Sequence, residues 1–183
     1  GVKLEGIVTS EEAVVGGKNG NRHSEKRLAY SFGRNFKDKV PVLGMMEKDG
    51  KVKTVVLPSM RYSLIRYEVL NTVKQGSILV TDEYGAYKRM KKYYTHYVNN
   101  HQKKIYTSKE GYSSNNIEGF WSHLKRMIIG VYHRVSRKHL QKYCDELTFR
   151  FNTRSMHTGE RFKLLLSKIN FRLTYKQLIS NYA

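Results

Sequence analysis

The chain has 183 residues, a length typical of one domain. Its 34 Lys and Arg stand against 15 Asp and Glu, and the net charge of +19 indicates a polyanionic partner, with DNA or RNA favoured over an anionic membrane surface or a ribosomal contact. The single cysteine, Cys144, excludes an intrachain disulfide and a cysteine-type zinc cluster, and no apolar run is long enough to span a membrane.

The first part of the chain predicts β-structure. Residues 4–8 are typical of a strand, which acidic residues and a second short apolar run follow. The polar and basic stretch 18–39 predicts a loop. Asp49-Gly50 is a strong turn signal between two apolar runs, so that residues 40–57 predict a β-hairpin.

The middle of the chain predicts helices alternating with strands. The elements are a helix that Ser63 caps and Gly76 ends, a buried strand over 77–81, a short helix over 84–94 and a strand over 95–98. Residues 99–113 predict a basic loop. Helical spacing of apolar residues then predicts a helix from Ser113 or Ser114 that Gly130 ends or interrupts, a helix from Ser136 to about Asn152, and a shorter helix near 159–168.

This order of elements predicts an α/β fold with a mixed five-stranded sheet flanked by helices. Three antiparallel strands followed by β-α-β units are the order of an RNase H-like fold. We expect one catalytic domain over 1–183, in which 155–183 forms a C-terminal helical extension.

Acidic residues stand where such a fold gathers metal ligands, on the first strand, after the fourth strand and on a later helix. Asp82 follows the strand that ends at Thr81, although an aspartate there also suits a turn or a helix cap. Glu118 lies one turn into a predicted helix, although a glutamate there also suits the helix macrodipole. The acids of the first strand are Glu11 and Glu12, and Glu83 is interpreted as a surface or supporting group.

Basic residues close to these acids are candidates for contact with a phosphate backbone. Those interpreted as DNA-binding are Lys125, Arg126, Lys88, Arg89, Arg134, Arg137 and Lys138, with Lys125 on the same helical face as Glu118. Gly119 is costly inside a helix, which favours the close approach of another group there. Trp121 is interpreted as a core residue rather than as a platform for a flipped base, and Cys144 as a buried apolar residue.

Several segments resemble the ISXO2-like transposase domain of the IS1595 insertion-sequence family, which is related to Merlin transposases. They are EEAVVGGK (11–18), VPVLGMMEKDGKV (40–52), TDEYGAY (81–87), the long block from Asn115 to Arg154, and ERFKLLL (160–166). The resemblance implies an RNase H-like fold and a DDE-type transposase, in which metal-dependent strand cleavage frees a 3′-hydroxyl that attacks target DNA.

The resemblance also implies the roles of individual residues. Carried onto this chain, the three catalytic acids are Glu11, Asp82 and Glu118, which would bind Mg²⁺ or Mn²⁺, and Asn115 is a competing or supporting ligand because some branches use Asn as the third residue. The first position departs from the family, since Glu11 stands where an aspartate is usual. Val14 replaces an aromatic residue, and Ser113 replaces a histidine that precedes the third acid.

The expected partners are insertion-sequence ends and target DNA, with a homo-oligomer assembled on DNA, no membrane, and a cytoplasmic, nucleoid-associated location in a bacterium. The resemblance also implies an N-terminal zinc-ribbon or helical DNA-binding region, and because none is present in this sequence, we expect the chain to be a fragment of a longer protein or a truncated copy. The altered Glu11 leaves open a catalytically impaired, DNA-binding remnant of a transposase. An RNase H-like nuclease acting on branched or hybrid substrates is a third hypothesis.

Overall fold

A computed structural model describes residues 2–16, 23–27, 39–99, 112–169 and 174–179. Most of the loop expected over 18–39, including Lys18, and most of the loop expected over 99–113 lie outside these residues. The described chain forms two compact units, residues 1–152 and 153–183.

One mixed five-stranded sheet organises the first unit, as the sequence predicts. Its strands are β1 (Ile7–Val15), β2 (Val40–Glu47), β3 (Val52–Val56), β4 (Ile78–Thr81) and β5 (Thr95–Val98), and their order is β3-β2-β1-β4-β5. β1 to β3 are antiparallel neighbours, and β4 runs parallel to both β1 and β5. The hairpin over β2 and β3 is confirmed, with Asp49-Gly50 in its turn.

The expectation of two separate apolar runs around the first acids is wrong. β1 continues through Glu11 and Glu12 without a break, because it pairs with β2 from Val8 to Val15. The backbone hydrogen bonds of the neighbouring strand therefore hold two charged residues in an extended conformation that their own propensity does not favour.

Five helices accompany the sheet among the described residues. They are α1 (Tyr62–Thr72), α2 (Asn115–Met127), α3 (Leu140–Asn152), α4 (Thr158–Ser167) and α5 (Tyr175–Ile179), of which the last two lie in the second unit. α4 lies within one residue of the helix predicted near 159–168. α5 falls in the expected helical extension over 155–183, although no separate helix was predicted at its position.

Several predicted boundaries are wrong for tertiary reasons. Arg61 precedes α1 in place of the expected cap Ser63. The helix ends at Thr72 because the next residues pair with Leu4, whose backbone N–H donates to Thr72 O at 2.8 Å. Gly76 stands beyond the end in a turn, at a φ of 84°.

The stretch expected to be a helix over 84–94 instead contains two short 3₁₀ turns, Gly85–Tyr87 and Met90–Lys92. The predicted interruption near Gly130 is confirmed, because α2 ends at Met127 and a π-helical turn, Ile128–Tyr132, contains this glycine. A 3₁₀ turn, Arg137–His139, precedes α3 where a single helix from Ser136 was expected.

The two faces of the sheet bury separate cores. Against one face, α1 packs Ile65 and Val69 on Val8, Leu43 and their neighbours. Against the other face, α2 and α3 pack Phe120, Trp121, Leu140 and Cys144 on strands β1 to β3. The core assignments of Trp121 and Cys144 are confirmed.

The indole ring of Trp121 packs directly on Gly44 of β2. A β-carbon at position 44 would lie 2.5 Å from Cζ2 of the indole ring and 3.2 Å from Cδ1 of Ile117. The distance of 2.5 Å is sterically impossible, so that α2 can lie this close to the sheet only where β2 has no side chain. The close approach expected at Gly119 is not observed among the described residues, since none of their atoms lies within 4 Å of the position that its β-carbon would take.

Gly44→Ala is expected to lower the free energy of unfolding by about 1–3 kcal/mol, because the methyl group forces the indole away from the sheet. The matched control is Gly119→Ala, which should raise the free energy of unfolding by up to about 1 kcal/mol, because alanine favours a helix and meets no neighbour. Urea unfolding of the three proteins measures both changes. A Gly44→Ala variant that is as stable as the parent would contradict the tight packing of Trp121 on Gly44.

Candidate active site

The pleat of β1 directs its two glutamates to opposite faces of the sheet. Ser10 and Glu12 lie on the α1 face, where the hydroxyl of Tyr87 donates to Glu12 Oε1 and lies 3.1 Å from Ser10 Oγ. Burial, followed by the charge of Glu12, raises the pKa of Tyr87, so that its hydroxyl remains a donor. Glu12 therefore braces β1 against the turn that follows β4, and Glu11 is left on the α2 face.

Glu11 is a partly buried carboxylate beside other acids. Its Oε2 is buried and has no hydrogen-bond partner among the described residues. Burial, followed by the charges of Glu118, Asp82 and Glu12, raises the pKa of Glu11 to about 8, and Lys125 acts in the opposite direction. Acidic side chains from three elements are thus directed at one place. The elements are β1, the end of β4 and α2.

Asp82 follows β4 directly, as the sequence predicts. β1 and β4 pair in parallel up to Ser10 and Thr81, so that Asp82 lies beside the position of Glu11 on the neighbouring strand. Its Oδ1 accepts a hydrogen bond from the N–H of Tyr84 at 2.9 Å. The alternative interpretation as a turn aspartate is therefore correct for one oxygen, and that bond also holds the carboxylate in place.

Glu118 lies in the first turn of α2, where Ser114 Oγ donates to its Oε1 at 3.5 Å. The seating of Trp121 on Gly44 brings this turn towards β1, because Gly44 pairs across the sheet with Glu11. Asn115 is exposed at the start of the helix, and the structure shows no contact between its side chain and the three acids among the described residues.

The three acids lie near one another, but among the described residues they do not form a complete metal-binding site. In the part of the chain that the structure describes, no three His, Cys, Asp or Glu side chains are close enough together to hold a metal ion. The chemistry of the set nevertheless suits a hard divalent cation, which takes carboxylate oxygens as ligands. A buried carboxylate oxygen without a donor is also the kind of atom that a cation would satisfy.

The basic residues expected to bind DNA divide into three groups. Lys125 acts electrostatically on Glu11, and Lys88 lines a cleft with Asp82. Arg89 lies over the ring of Tyr62, and Arg137 donates to the carbonyl of Pro58 at 3.3 Å, so that these two also support the fold. The others are exposed, namely Arg126, Arg134 and Lys138.

The cleft beside Asp82 contains a histidine that sequence reasoning missed. It has a volume of about 320 Å³, and Tyr87, Lys88, Lys91 and His96 are among its lining residues. Only the pairing of β5 with β4 could have singled out His96, because one histidine in a short strand carries no signal by itself.

Hydrogen bonding defines the tautomer of His96. The hydroxyl of Thr81 donates to the carbonyl oxygen of Asp82, so that it accepts from His96 Nε2 at 2.9 Å. The ring nitrogen Nδ1 is then a buried acceptor without a donor among the described residues. Burial, followed by the charge of Lys91, lowers the pKa of His96 to about 4.

Comparisons with known proteins identify the family of the chain. The family model of the ISXO2-like transposase domain matches residues 3–152, and the chain belongs to this family. The matched segment ends where the first compact unit ends. An uncharacterized transposase-like protein of Haemophilus influenzae is 29% identical over 103 residues, which are 56% of this chain and 81% of that protein. No solved structure matches.

No helix in the described ranges has the length and apolar character needed to cross a membrane.

His96 gives a prediction on the pH dependence of stability. Its pKa is about 4 in the folded chain, against an ordinary value of 6.5, so that its contribution is complete above pH 6.5 and is lost as the pH falls towards 4. His96→Gln keeps an N–H donor for Thr81 but does not titrate. The difference in free energy of unfolding between the parent and this variant should therefore shift in favour of the variant between pH 7 and 4.5.

Urea unfolding at several pH values measures this difference, and all carboxylates cancel because both proteins share them. A difference that stays constant over the whole range would show that the folded chain does not hold this ring neutral.

Proposed function

We propose that this chain is a DDE-type transposase domain that cleaves DNA strands at insertion-sequence ends and transfers them to target DNA with a divalent metal, Mg²⁺ or Mn²⁺. The observation that carries the proposal is the unpartnered, buried Oε2 of Glu11, on which the charges of Asp82 and Glu118 converge. Membership of a transposase family supports the same reaction class.

The strand order supports an RNase H-like fold. Three antiparallel strands are followed by two that run parallel to the first, and β1 and β4 are neighbours. This topology brings the middle of β1 and the carboxyl end of β4 to one edge, where open α/β sheets bind their ligands. The third acid then comes from a helix packed over the same strands.

The proposed ligands are Glu11, Asp82 and Glu118, with Asn115 available at the start of α2. When bound, a divalent metal supplies an activated water and stabilisation of the leaving oxygen. The chain itself positions the donors: Tyr84 N–H holds Asp82, Ser114 holds Glu118, and Tyr87 holds Glu12 on the far face. Glu12 is therefore the weaker choice for the first ligand.

DNA is the proposed substrate and partner, and the net charge of +19 supports it. Lys125 acts electrostatically on Glu11 and Lys88 lines a cleft with Asp82, so that both are placed to hold the phosphates that flank the scissile bond. Assembly of a homo-oligomer on the transposon ends, in the bacterial nucleoid, belongs to the same proposal.

Asp82→Asn is expected to reduce metal-dependent nicking of end DNA by at least about 100-fold. It should weaken Mn²⁺ binding by more than the roughly tenfold loss typical of a residue that only orients a ligand. The matched control is Asp49→Asn, the same substitution in the exposed β2–β3 turn, where asparagine followed by glycine is equally suitable. Calorimetry with Mn²⁺ and gel assays of nicking measure the two effects. Equal metal binding by all three proteins would contradict the proposal.

A second candidate, a DNA-binding remnant that no longer cleaves, is favoured by Glu11 in place of aspartate and by the absence of a finished metal cage among the described residues. The side chain of glutamate is longer by one methylene, about 1 Å, whereas catalytic sites tolerate displacements of about 0.5 Å.

Glu11→Asp separates the two candidates. We expect this variant to bind Mn²⁺ more tightly and to nick at least about tenfold faster than the parent, because the shorter side chain restores the spacing of the family. If the parent binds DNA but does not nick it, and Glu11→Asp restores nicking, the parent is the DNA-binding remnant of the second candidate. If the variant leaves both metal affinity and rate unchanged, Glu11 does not limit activity.

A further inference from the structure

Two large aliphatic side chains project into solvent just beyond α2. The π-helical turn Ile128–Tyr132 carries Ile129 and Val131, which are 70% and 66% exposed. Gly130 lies between them, and no described atom lies within 4 Å of the position of its β-carbon. We call Ile129, Gly130 and Val131 the apolar tip. π-helical turns inside helices are rare and occur frequently at functional sites.

The base of the apolar tip is firmly anchored. The ring of Tyr132 packs edge-on against Tyr143 of α3 at 4.6 Å, and its hydroxyl donates to Glu146. The next residue, His133, has a φ of 55°, and Arg134 N–H donates across it to Tyr132 O in a tight turn. Such a backbone costs of order 1–3 kcal/mol and persists where the surrounding structure enforces it. The tip is thus held out in water.

The charge around the apolar tip identifies its partner. From residue 119 to residue 144 the sequence contains no Asp or Glu, whereas it contains Lys125, Arg126, Arg134, Arg137, Lys138 and Lys142. At the base of the tip, Glu146 is already paired with the hydroxyl of Tyr132 and with Arg150. An apolar projection whose flanking sequence carries these cations suits a polyanion that also has an apolar interior. A second copy of this chain, with its own charge of +19, would be repelled at this surface.

Duplex DNA has this combination, with phosphates outside and stacked bases within. Proteins insert apolar side chains between base steps and contact the flanking phosphates with basic residues. We propose that the apolar tip inserts into one base step of bound duplex DNA, while Arg126 and Arg134 contact the phosphates on either side. This inference rests on the proposed function, since it takes DNA as the substrate.

The helix also gives the position of the inserted step. Ile129 follows Glu118 by three turns of nearly continuous helix, and the rise of about 1.5 Å per residue separates them by roughly 16 Å. DNA that runs along α2 covers this distance in about five base pairs, at about 3.4 Å per step. The unstacked step would therefore lie about five base pairs from the phosphodiester at the acids. Gly130 would leave room for the duplex to approach the backbone.

The test uses the full chain without divalent metal and a duplex of about 30 base pairs with one central TA step, because such steps unstack easily. The adenine of that step is replaced by 2-aminopurine, whose fluorescence rises when it unstacks. The test variant is I129S/V131S, and the control is Tyr67→Ser, which removes a side chain that is 63% exposed on α1.

The parent and the control are expected to raise the fluorescence of the duplex. The double variant should fold normally by circular dichroism, bind about tenfold more weakly and give no rise in fluorescence. The slope of log affinity against log salt should remain that of the parent, because the phosphate contacts are unchanged. A charge variant, K125A/R126A, should instead reduce the salt slope.

Several outcomes would overturn the inference. If the double variant matches the parent in affinity and in fluorescence, the apolar tip does not insert into DNA. The proposed function is unaffected by that result. A dimeric parent whose double variant becomes monomeric, with unchanged unstacking of DNA, assigns the tip to a protein interface. A parent that does not bind duplex DNA overturns both proposals, whereas a parent that unstacks DNA but does not nick it with Mn²⁺ supports the insertion and contradicts the catalytic proposal.

Discussion

The contact between Trp121 and the bare backbone of Gly44 is the constraint on which the candidate site depends. Because β2 lacks a side chain at this position, the indole lies directly on the strand and α2 crosses the sheet at close range. Gly44 pairs with Glu11 of β1, and Glu118 lies one turn before Trp121 on the helix. A single packing contact between apolar groups therefore brings two acids from distant parts of the chain together.

The close approach of these acids has an electrostatic cost. Glu11 loses solvent and lies within the fields of Glu118, Asp82 and Glu12, which raise its pKa to about 8. The two buried cores and the continuous pairing of β1 oppose this repulsion, since the strand cannot move without breaking both.

Helix α2 links the candidate site to the surface that would meet DNA. Its buried face packs Ile117, Phe120 and Leu124 against the sheet, its first turn presents Glu118, and its end continues into the apolar tip. One rigid element would thus relate the scissile phosphate to a base step several pairs away. The basic residues on its exposed side lie between these two positions.

The sequence by itself determined the elements with strong local signals. Asp49-Gly50 predicted the hairpin, alternating helices and strands predicted a five-stranded mixed sheet, and the apolar spacing of α2 predicted the buried Trp121. The position of Asp82 after a strand and of Glu118 in a first helical turn also followed from local pattern. The family could be recognised from long sequence motifs alone, without any argument from the fold.

Only the tertiary structure decided the features that depend on distant partners. Pairing with β2 carries β1 through Glu11 and Glu12, and pairing with Leu4 ends α1 before Gly76. The register of β1 with β2 decides which glutamate faces α2, Tyr87 then binds the other one, and His96 enters the cleft because β5 lies beside β4. These outcomes are invisible to local pattern because hydrogen bonds and packing between residues far apart in the chain outweigh the weak preferences of each segment.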